Sequence, residues 1–219
     1  ELDDNRMKAE YALSHRSALY RITFEADKPV YIIINSRNGS IHVGENFISG
    51  HQQLSDNTNV YVYIEPQEKP VSTGVLENGV IEASKDNANG TNACAAWRFA
   101  DGTTTINLRY GISFISEEQA EKNLRSELGD YDINKLAETG RRIWNEALGR
   151  IKVEGGTEND KTVLYSSFYR TFERPICMSE DGGLYFSAFD GKVHNDNGIP
   201  FYTDDWIWDT YRAAHPLRT

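Results

Sequence analysis

The residues best suited to chemistry lie near the end of the chain, in Thr203-Asp204-Asp205-Trp206-Ile207-Trp208-Asp209-Thr210-Tyr211-Arg212. Carboxylates accept hydrogen bonds from sugar hydroxyls, and an indole face stacks on the apolar face of a pyranose. On a helix, Asp205 and Asp209 share a face at i, i+4, with Trp208 and Tyr211 beside them. The run could therefore hold a sugar. It could equally be an ordinary helix start, with Asp204 or Asp205 as the cap and Trp206 filling core. Acidic first turns are common enough that residue type alone does not separate the two.

Hydrolysis of a glycoside needs two carboxyl groups flanking the bond. Glu180-Asp181 and Asp204-Asp205-Asp209 could supply such a pair, although Asp181-Gly182-Gly183 is also a turn signal. Val193–Asp204 has Asn195, Asn197, Gly198 and Asp204 at calcium-loop positions, but Val193 stands where a carboxylate is required, so the loop is rejected. His15, His42, His51, His194 and His215 show no metal-ligand spacing. Cys94 and Cys177 make no CxxC and read as two free thiols, with one disulfide as the alternative. No GxSxG, P-loop or GxGxxG occurs.

These residues need elements to place them. The first half reads as β. Tyr20, Ile22 and Phe24 alternate with polar neighbours, and Val30–Ile34, Val60–Ile64 and, more weakly, Val80–Ala83 are short apolar runs. Ala93–Ala100, Asp101-Gly102 and Thr103–Ile115 together predict a hairpin. Several such strands joined by Gly, Asn, Asp and Pro turns predict an antiparallel β-sandwich. The period changes at Ser116, where Ser116 and Gln119 fit a capping box. Ala120, Leu124 and Leu128 then trace one helix face, ended at Gly129. A second helix is expected over 133–150 and a third over 159–172, which Pro175 must stop. A last helix is expected from Thr203 or Asp204, closed by Pro216. The order is strands, then helices. It makes a β domain followed by the start of an α domain, with the boundary near 115–130.

The charge balance excludes some partners. The chain has 219 residues, with 23 basic against 33 acidic side chains, net −10. There is no basic tract to neutralise phosphates, so nucleic acid and anionic membranes are disfavoured. No apolar run approaches the ~20 residues of a membrane span. Glu1 opens directly into polar sequence, which suggests a piece of a longer polypeptide.

The run Tyr202-Thr-Asp-Asp-Trp-Ile-Trp-Asp-Thr-Tyr-Arg-Ala-Ala-His-Pro-Leu217 resembles the signature of glycoside hydrolase family 92, the calcium-dependent exo-α-mannosidases. Gly111–Ala120 with Asn123-Leu124, Trp144-Asn145, Leu164–Arg170 with Pro175, and Asp181-Gly182-Gly183-Leu184-Tyr185 resemble the family in the same order. The resemblance is firm over about 105–217 and thinner before it. It implies a supersandwich-like β-sandwich over 1–115, joined by a helical linker over 116–150 to the beginning of an (α/α)6 catalytic barrel over 151–219. The first sandwich strands and most of the barrel would lie outside this chain, with the catalytic acid, the base and the Ca2+ ligands.

Within the chain, the resemblance gives no catalytic and no metal residue. It implies substrate binding by Trp208 and Asp209, with Arg212 orienting Asp209 from i+3. It further implies inverting hydrolysis of terminal mannose from N-glycans or mannan, α-1,2 linkage included, at a periplasmic or secreted location. The expected partners are a mannose-containing glycan and the remaining barrel of the same polypeptide. This piece alone is expected to be inactive. Two readings from other classes stand beside it: a non-catalytic carbohydrate-binding module, and a structural domain whose exposed helix faces need a partner.

Overall fold

The computed structural model describes residues 7–25, 28–55 and 57–218, apart from the side chain of Asp209. Eleven strands come first: β1 (Lys8–Leu13), β2 (Ser17–Thr23), β3 (Tyr31–Ser36), β4 (Gly39–Val43), β5 (Ile48–Ser55), β6 (Thr58–Pro66), β7 (Ser72–Glu77), β8 (Val80–Glu82), β9 (Asn87–Gly90), β10 (Ala93–Arg98) and β11 (Thr105–Ser113). Three helices follow: α1 (Glu117–Glu127), α2 (Ile133–Leu148) and α3 (Glu158–Arg170). The remainder is β12 (Ile176–Cys177), β13 (Leu184–Ser187), β14 (Lys192–Asn195), β15 (Tyr202–Thr203), α4 (Ile207–Thr210) and α5 (Ala214–Arg218).

Two antiparallel sheets form the expected sandwich. One has seven strands in the order β1-β2-β11-β6-β5-β4-β9, and the other has four in the order β3-β10-β7-β8. Their inner faces enclose Ile41, Val43, Ile48, Val75, Trp97, Phe99, Ile106 and Leu108. Tyr20, Ile22 and Phe24, which alternate with polar neighbours in the sequence, pack against this layer, because alternate side chains of a strand point to one face.

The seven-stranded sheet is buried on its other face as well. There Ala12, Leu19 and Tyr63 meet Ala120, Leu124, Leu128 and Ile133 of the helical segment. The helix stripe predicted at 120, 124 and 128 is thus the face that α1 buries. Each leucine buried this way contributes roughly 1.5–3 kcal/mol. The approach is close at Gly111, where a Cβ would sit 2.3 Å from the Ala120 carbonyl oxygen. A glycine lets the helix rest on the strand backbone.

The structure corrects three local expectations. Asp101-Gly102 does not turn a hairpin. β10 pairs with β3 and β7 in the small sheet, whereas β11 pairs with β2 and β6 in the large one. The turn carries the chain from one sheet to the other. The tight hairpin is at Asn78-Gly79, between β7 and β8, where both residues have positive φ (49° and 80°). That is the type I′ requirement.

The capping box at Ser116 is only half formed. Its side chain accepts from the Gln119 amide, but the Gln119 side chain turns to Asn123 and to the Asp181 carbonyl. A complete capping box begins α3 instead, between Thr157 and Asp160. The last expected helix is two short ones. Neither Thr203 nor Asp204 caps α4, which follows Trp206 with no side-chain cap. Pro216 lies within the first turn of α5, where its missing N–H costs nothing.

Candidate functional site

The Trp208 segment is held by partners distant in sequence. β12 pairs antiparallel with β15, matching Ile176 to Thr203 and Cys177 to Tyr202. Met178 N–H donates to the Phe201 carbonyl at 2.8 Å, and Phe201 N–H donates to Ser179 Oγ at 2.9 Å. Beyond this ladder, Arg174 forms an ion pair with Asp204 and lies 4.0 Å over the Trp206 ring. The Trp206 indole N–H donates to Asp204 Oδ1 at 2.7 Å. Asp204 takes a positive φ of 63° there. Its carboxylate thus closes a bend, secured by a guanidinium and an indole, and does not start a helix.

Asp205 lies outside α4, so the helix face on which it was expected does not extend to it. Its carboxylate meets the Thr210 hydroxyl at 3.4 Å and His215 Nε2 at 3.2 Å. Trp206 fills no core, being 54% exposed. Trp208 is 84% exposed, with its ring centroid 6.1 Å from that of Tyr211. Arg212 Nε donates to the Tyr211 hydroxyl at 2.6 Å. The Asp209 side chain, and with it the expected partnership with Arg212, lies outside the described residues. What α4 presents is a flat, open indole face beside a polar rim. A cleft of about 250 Å³ opens next to it, lined by Arg170, Arg174, Trp206, Thr210 and Arg218.

The other sequence candidate, Glu180-Asp181, is placed differently. Glu180 is 6% exposed, and both of its oxygens accept hydrogen bonds. Phe114 N–H donates to Oε1 at 2.8 Å; Ser113 Oγ and Asn123 Nδ2 donate to Oε2 at 2.6 and 2.8 Å. Asp181 pairs at its surface with Lys122, at 3.3 Å. A carboxylate this enclosed and this fully bonded cannot reach a glycosidic oxygen, so Glu180 is not half of an acid–base pair in this arrangement. Sequence inspection missed its partners, Ser113 and Asn123, and also Arg174; all three act through contacts 30 or more residues away.

A second cleft, of about 520 Å³, separates the β1–β2 turn and the end of α1 from the segment around β12. Arg16 reaches across it. The Arg16 N–H donates to both Glu127 oxygens at 3.0 Å, and its guanidinium donates to the Cys177 carbonyl. In the β13–β14 hairpin, His194 Nε2 is 2.9 Å from Asp190 Oδ2. Desolvation pushes the Asp190 carboxyl up, but hydrogen bonds led by His194 hold it below the usual range. Cys94 and Cys177 are both free thiols. Among the described residues, no three His, Cys, Asp or Glu side chains converge as metal ligands. Among them, too, no helix is long and apolar enough to cross a membrane.

Comparison with known proteins agrees with this architecture. Residues 1–113 match the glycosyl hydrolase family 92 N-terminal domain, and residues 119–219 match the family 92 catalytic domain. The chain superimposes on the family 92 inverting mannosidase of Bacteroides thetaiotaomicron VPI-5482 with a TM-score of 0.86 and 28% identity, over 96% of this chain and 30% of that one. A second α-mannosidase of Bacteroides thetaiotaomicron gives a TM-score of 0.87 at 23% identity, over 99% of this chain and 32% of that one. An uncharacterized secreted glycosidase of Arthroderma benhamiae is 31% identical over 102 residues, 41% of this chain and 13% of its own length. The chain therefore spans about a third of the solved relatives and a smaller part of the curated one.

Proposed function

The chain belongs to glycosyl hydrolase family 92, and on that footing we propose that the complete protein is an exo-acting α-mannosidase. It removes terminal mannose, α-1,2-linked residues included, from N-glycans or mannan, with inversion and with calcium, outside the cytoplasm. The observation that supports this most is the superposition of nearly the whole chain on an inverting mannosidase. The secreted glycosidase related to part of the chain supports the location.

In this reading, residues of this chain bind and do not transfer protons. Trp208 offers its open indole face to the apolar face of the terminal mannose. Asp209, by its place in the Trp-Asp motif, accepts hydrogen bonds from sugar hydroxyls. The calcium ligands, like the general acid and base, are assigned in this reading to parts of the protein outside this chain, as the family resemblance implies. In an inverting hydrolase the acid protonates the leaving oxygen while the base activates water on the opposite face.

The test is hydrolysis of α-1,2-mannobiose by the full-length protein and by this 219-residue chain, each with calcium and with a chelator. The expected outcome is calcium-dependent release of mannose by the full-length protein alone, and a loss of about tenfold or more in kcat/KM for Trp208→Ala. Release of mannose by this chain alone, or none by the full-length protein on any α-mannobiose, would overturn the reading. Glycan binding retained by residues 1–115 without hydrolysis would favour a carbohydrate-binding module.

A further inference from the structure

We propose that Glu180 is a positioning residue: it fastens the segment carrying Trp208 to the end of the sandwich strand β11. The proposal rests on the mannosidase reading only for its kinetic consequence. Its structural part stands on the hydrogen-bond network around Glu180.

In that network, donor and acceptor roles are fixed by bonds already made. Ser113 Oγ accepts from the Ile115 N–H at 2.8 Å, which leaves its own proton for Glu180. Asn123 Nδ2 donates both to Glu180 and to the Ile112 carbonyl, at 2.8 and 2.9 Å. Asn123 Oδ1 accepts from Gln119 Nε2 and from the Asp181 N–H, at 3.0 and 3.2 Å. The Asn123 amide therefore cannot turn over without losing bonds at both ends. The three groups that bond the Glu180 carboxylate are all donors, and they come from β11, from the residue after it, and from α1. Only an ionised carboxylate answers that set on both oxygens. A glutamine of the same shape sets an N–H against another donor and leaves buried donors unpaired.

The grip on Glu180 passes directly to Trp208. Glu180 lies three residues beyond β12, which pairs with β15. Arg174, just before β12, pairs with Asp204, just after β15, and covers Trp206. α4 and Trp208 follow at once. Two strands and one ion pair thus link the carboxylate to the indole, with no free loop between them. Arg16, on the Cys177 carbonyl, is a second and weaker tie from the sandwich to the same segment.

The experiment compares full-length wild-type protein with Glu180→Gln, Arg16→Ala and the paired exchange Glu180→Gln/Asn123→Asp. It uses amide hydrogen exchange over residues 174–184 and 201–211, with β2, β5 and β6 as internal references, together with kcat and KM on α-1,2-mannobiose. In Glu180→Gln, exchange over 201–211 should rise about tenfold while the reference strands stay protected. Arg16→Ala should give a smaller rise in the same window. The paired exchange should recover only part of the protection: the carboxylate it places on α1 can accept from the amide it places after β12, but it also sets an oxygen against the Ile112 carbonyl.

Kinetically, kcat/KM should fall with Trp208 misplaced although the sandwich unfolds at its wild-type temperature. Exchange over 201–211 that stays at wild-type level in Glu180→Gln, with change confined to 178–184, would overturn the proposal. If Glu180→Gln fails to fold, Ser113→Ala, which removes one donor to the same carboxylate, carries the same test, and an unchanged 201–211 window there overturns it. A wild-type protein without mannosidase activity would sink the functional reading alone, since the exchange data do not depend on turnover.

Discussion

The sandwich and the helical segment after it solve the burial problem to different degrees. Between the two sheets, Trp97, Ile106 and Ile48 are wholly enclosed, and each is held by residues from both layers. α3 has no buried residue at all, and α2 buries only Ile133. Trp144, Tyr169 and Phe172 instead gather into a half-open aromatic cluster, with Trp144 4.5 Å from Tyr169 and 5.7 Å from Phe172 between ring centroids. The lesson is that a regular apolar stripe fixes a helix without fixing its neighbour. In the sandwich the inner faces of β4, β5, β7, β10 and β11 have partners within this chain. In α2 and α3 the stripe is drawn and most of it faces outward.

That contrast can be broken by mutation, and the largest effect should come from the sandwich. Trp97→Ala, at a position with 0% exposure, should cost about 3–5 kcal/mol in chemical denaturation of this chain. Leu164→Ala, on the open face of α3, should stay within about 0.5 kcal/mol in the same assay. Equal losses at the two sites would show that the helical segment is as tightly packed as the sandwich.

A middle-sized effect should come from the junction. Glu65 on β6 pairs with Arg109 and with Arg125, whose guanidinium nitrogens lie 2.6 and 2.7 Å from its two oxygens. Tyr131 adds a hydrogen bond at 3.3 Å. Burial raises the Glu65 pKa, but the Arg125 and Arg109 hydrogen bonds outweigh it and hold the carboxyl below its ordinary range. Nearby, burial first and the Glu121 and Glu65 charges next push the Tyr63 hydroxyl up to about 12. Removing the carboxylate in Glu65→Gln should cost about 2–3 kcal/mol, less than a fully buried pair because Arg125 is partly in water.

The sign with pH follows from the depressed value. A carboxyl whose folded pKa is lowered contributes its stability in full above its unfolded pKa, ~4.3, and loses it as pH falls through the folded value. Glu10, held down to about 2 by Arg21 and Lys8, titrates the same way at the surface. Stability should therefore fall steadily from about pH 4.5 towards pH 2. Glu65→Gln should be less sensitive over that window, and parallel unfolding curves for the two proteins would count against the assignment.

The smallest effect should be local to α3. Thr157 and Asp160 exchange hydrogen bonds across its first turn, at 2.8 and 3.2 Å. The Thr157 N–H, then its hydroxyl, holds the Asp160 carboxyl below its usual range. Thr157→Ala should raise the Asp160 pKa part of the way back, read by NMR titration, and speed exchange of the first-turn amides about threefold. The sandwich signals should not move.

How much was legible follows the reach of each interaction. The α1 stripe is a local pattern, and it stands in the structure where the spacing put it. Asp101-Gly102 misled because a turn signal reports a change of direction and not which sheet receives the next strand. Gly102 alone has positive φ there, whereas Asn78-Gly79 supplies both residues that a tight hairpin needs. The start of the last helix misled because Asp204 is claimed by Arg174, 30 residues earlier. The roles of Glu180 rest on Asn123 and Ser113, 57 and 67 residues away, and no spacing rule reaches that far. Residue type placed Trp208 beside a possible sugar site, and its exposure comes from the structure alone.

β11 has one more consequence, for which lengths of chain this architecture tolerates. Its even residues Ile106 and Leu108 face the inner core, while Arg109, Gly111 and Ser113 serve the helical side. Inserting or deleting one residue within it would exchange the two sets, putting a guanidinium into one layer and an isoleucine under α1. Relatives of this chain should therefore differ in length at the Asp101-Gly102 crossing and along 188–200, while the nine residues of β11 stay free of gaps.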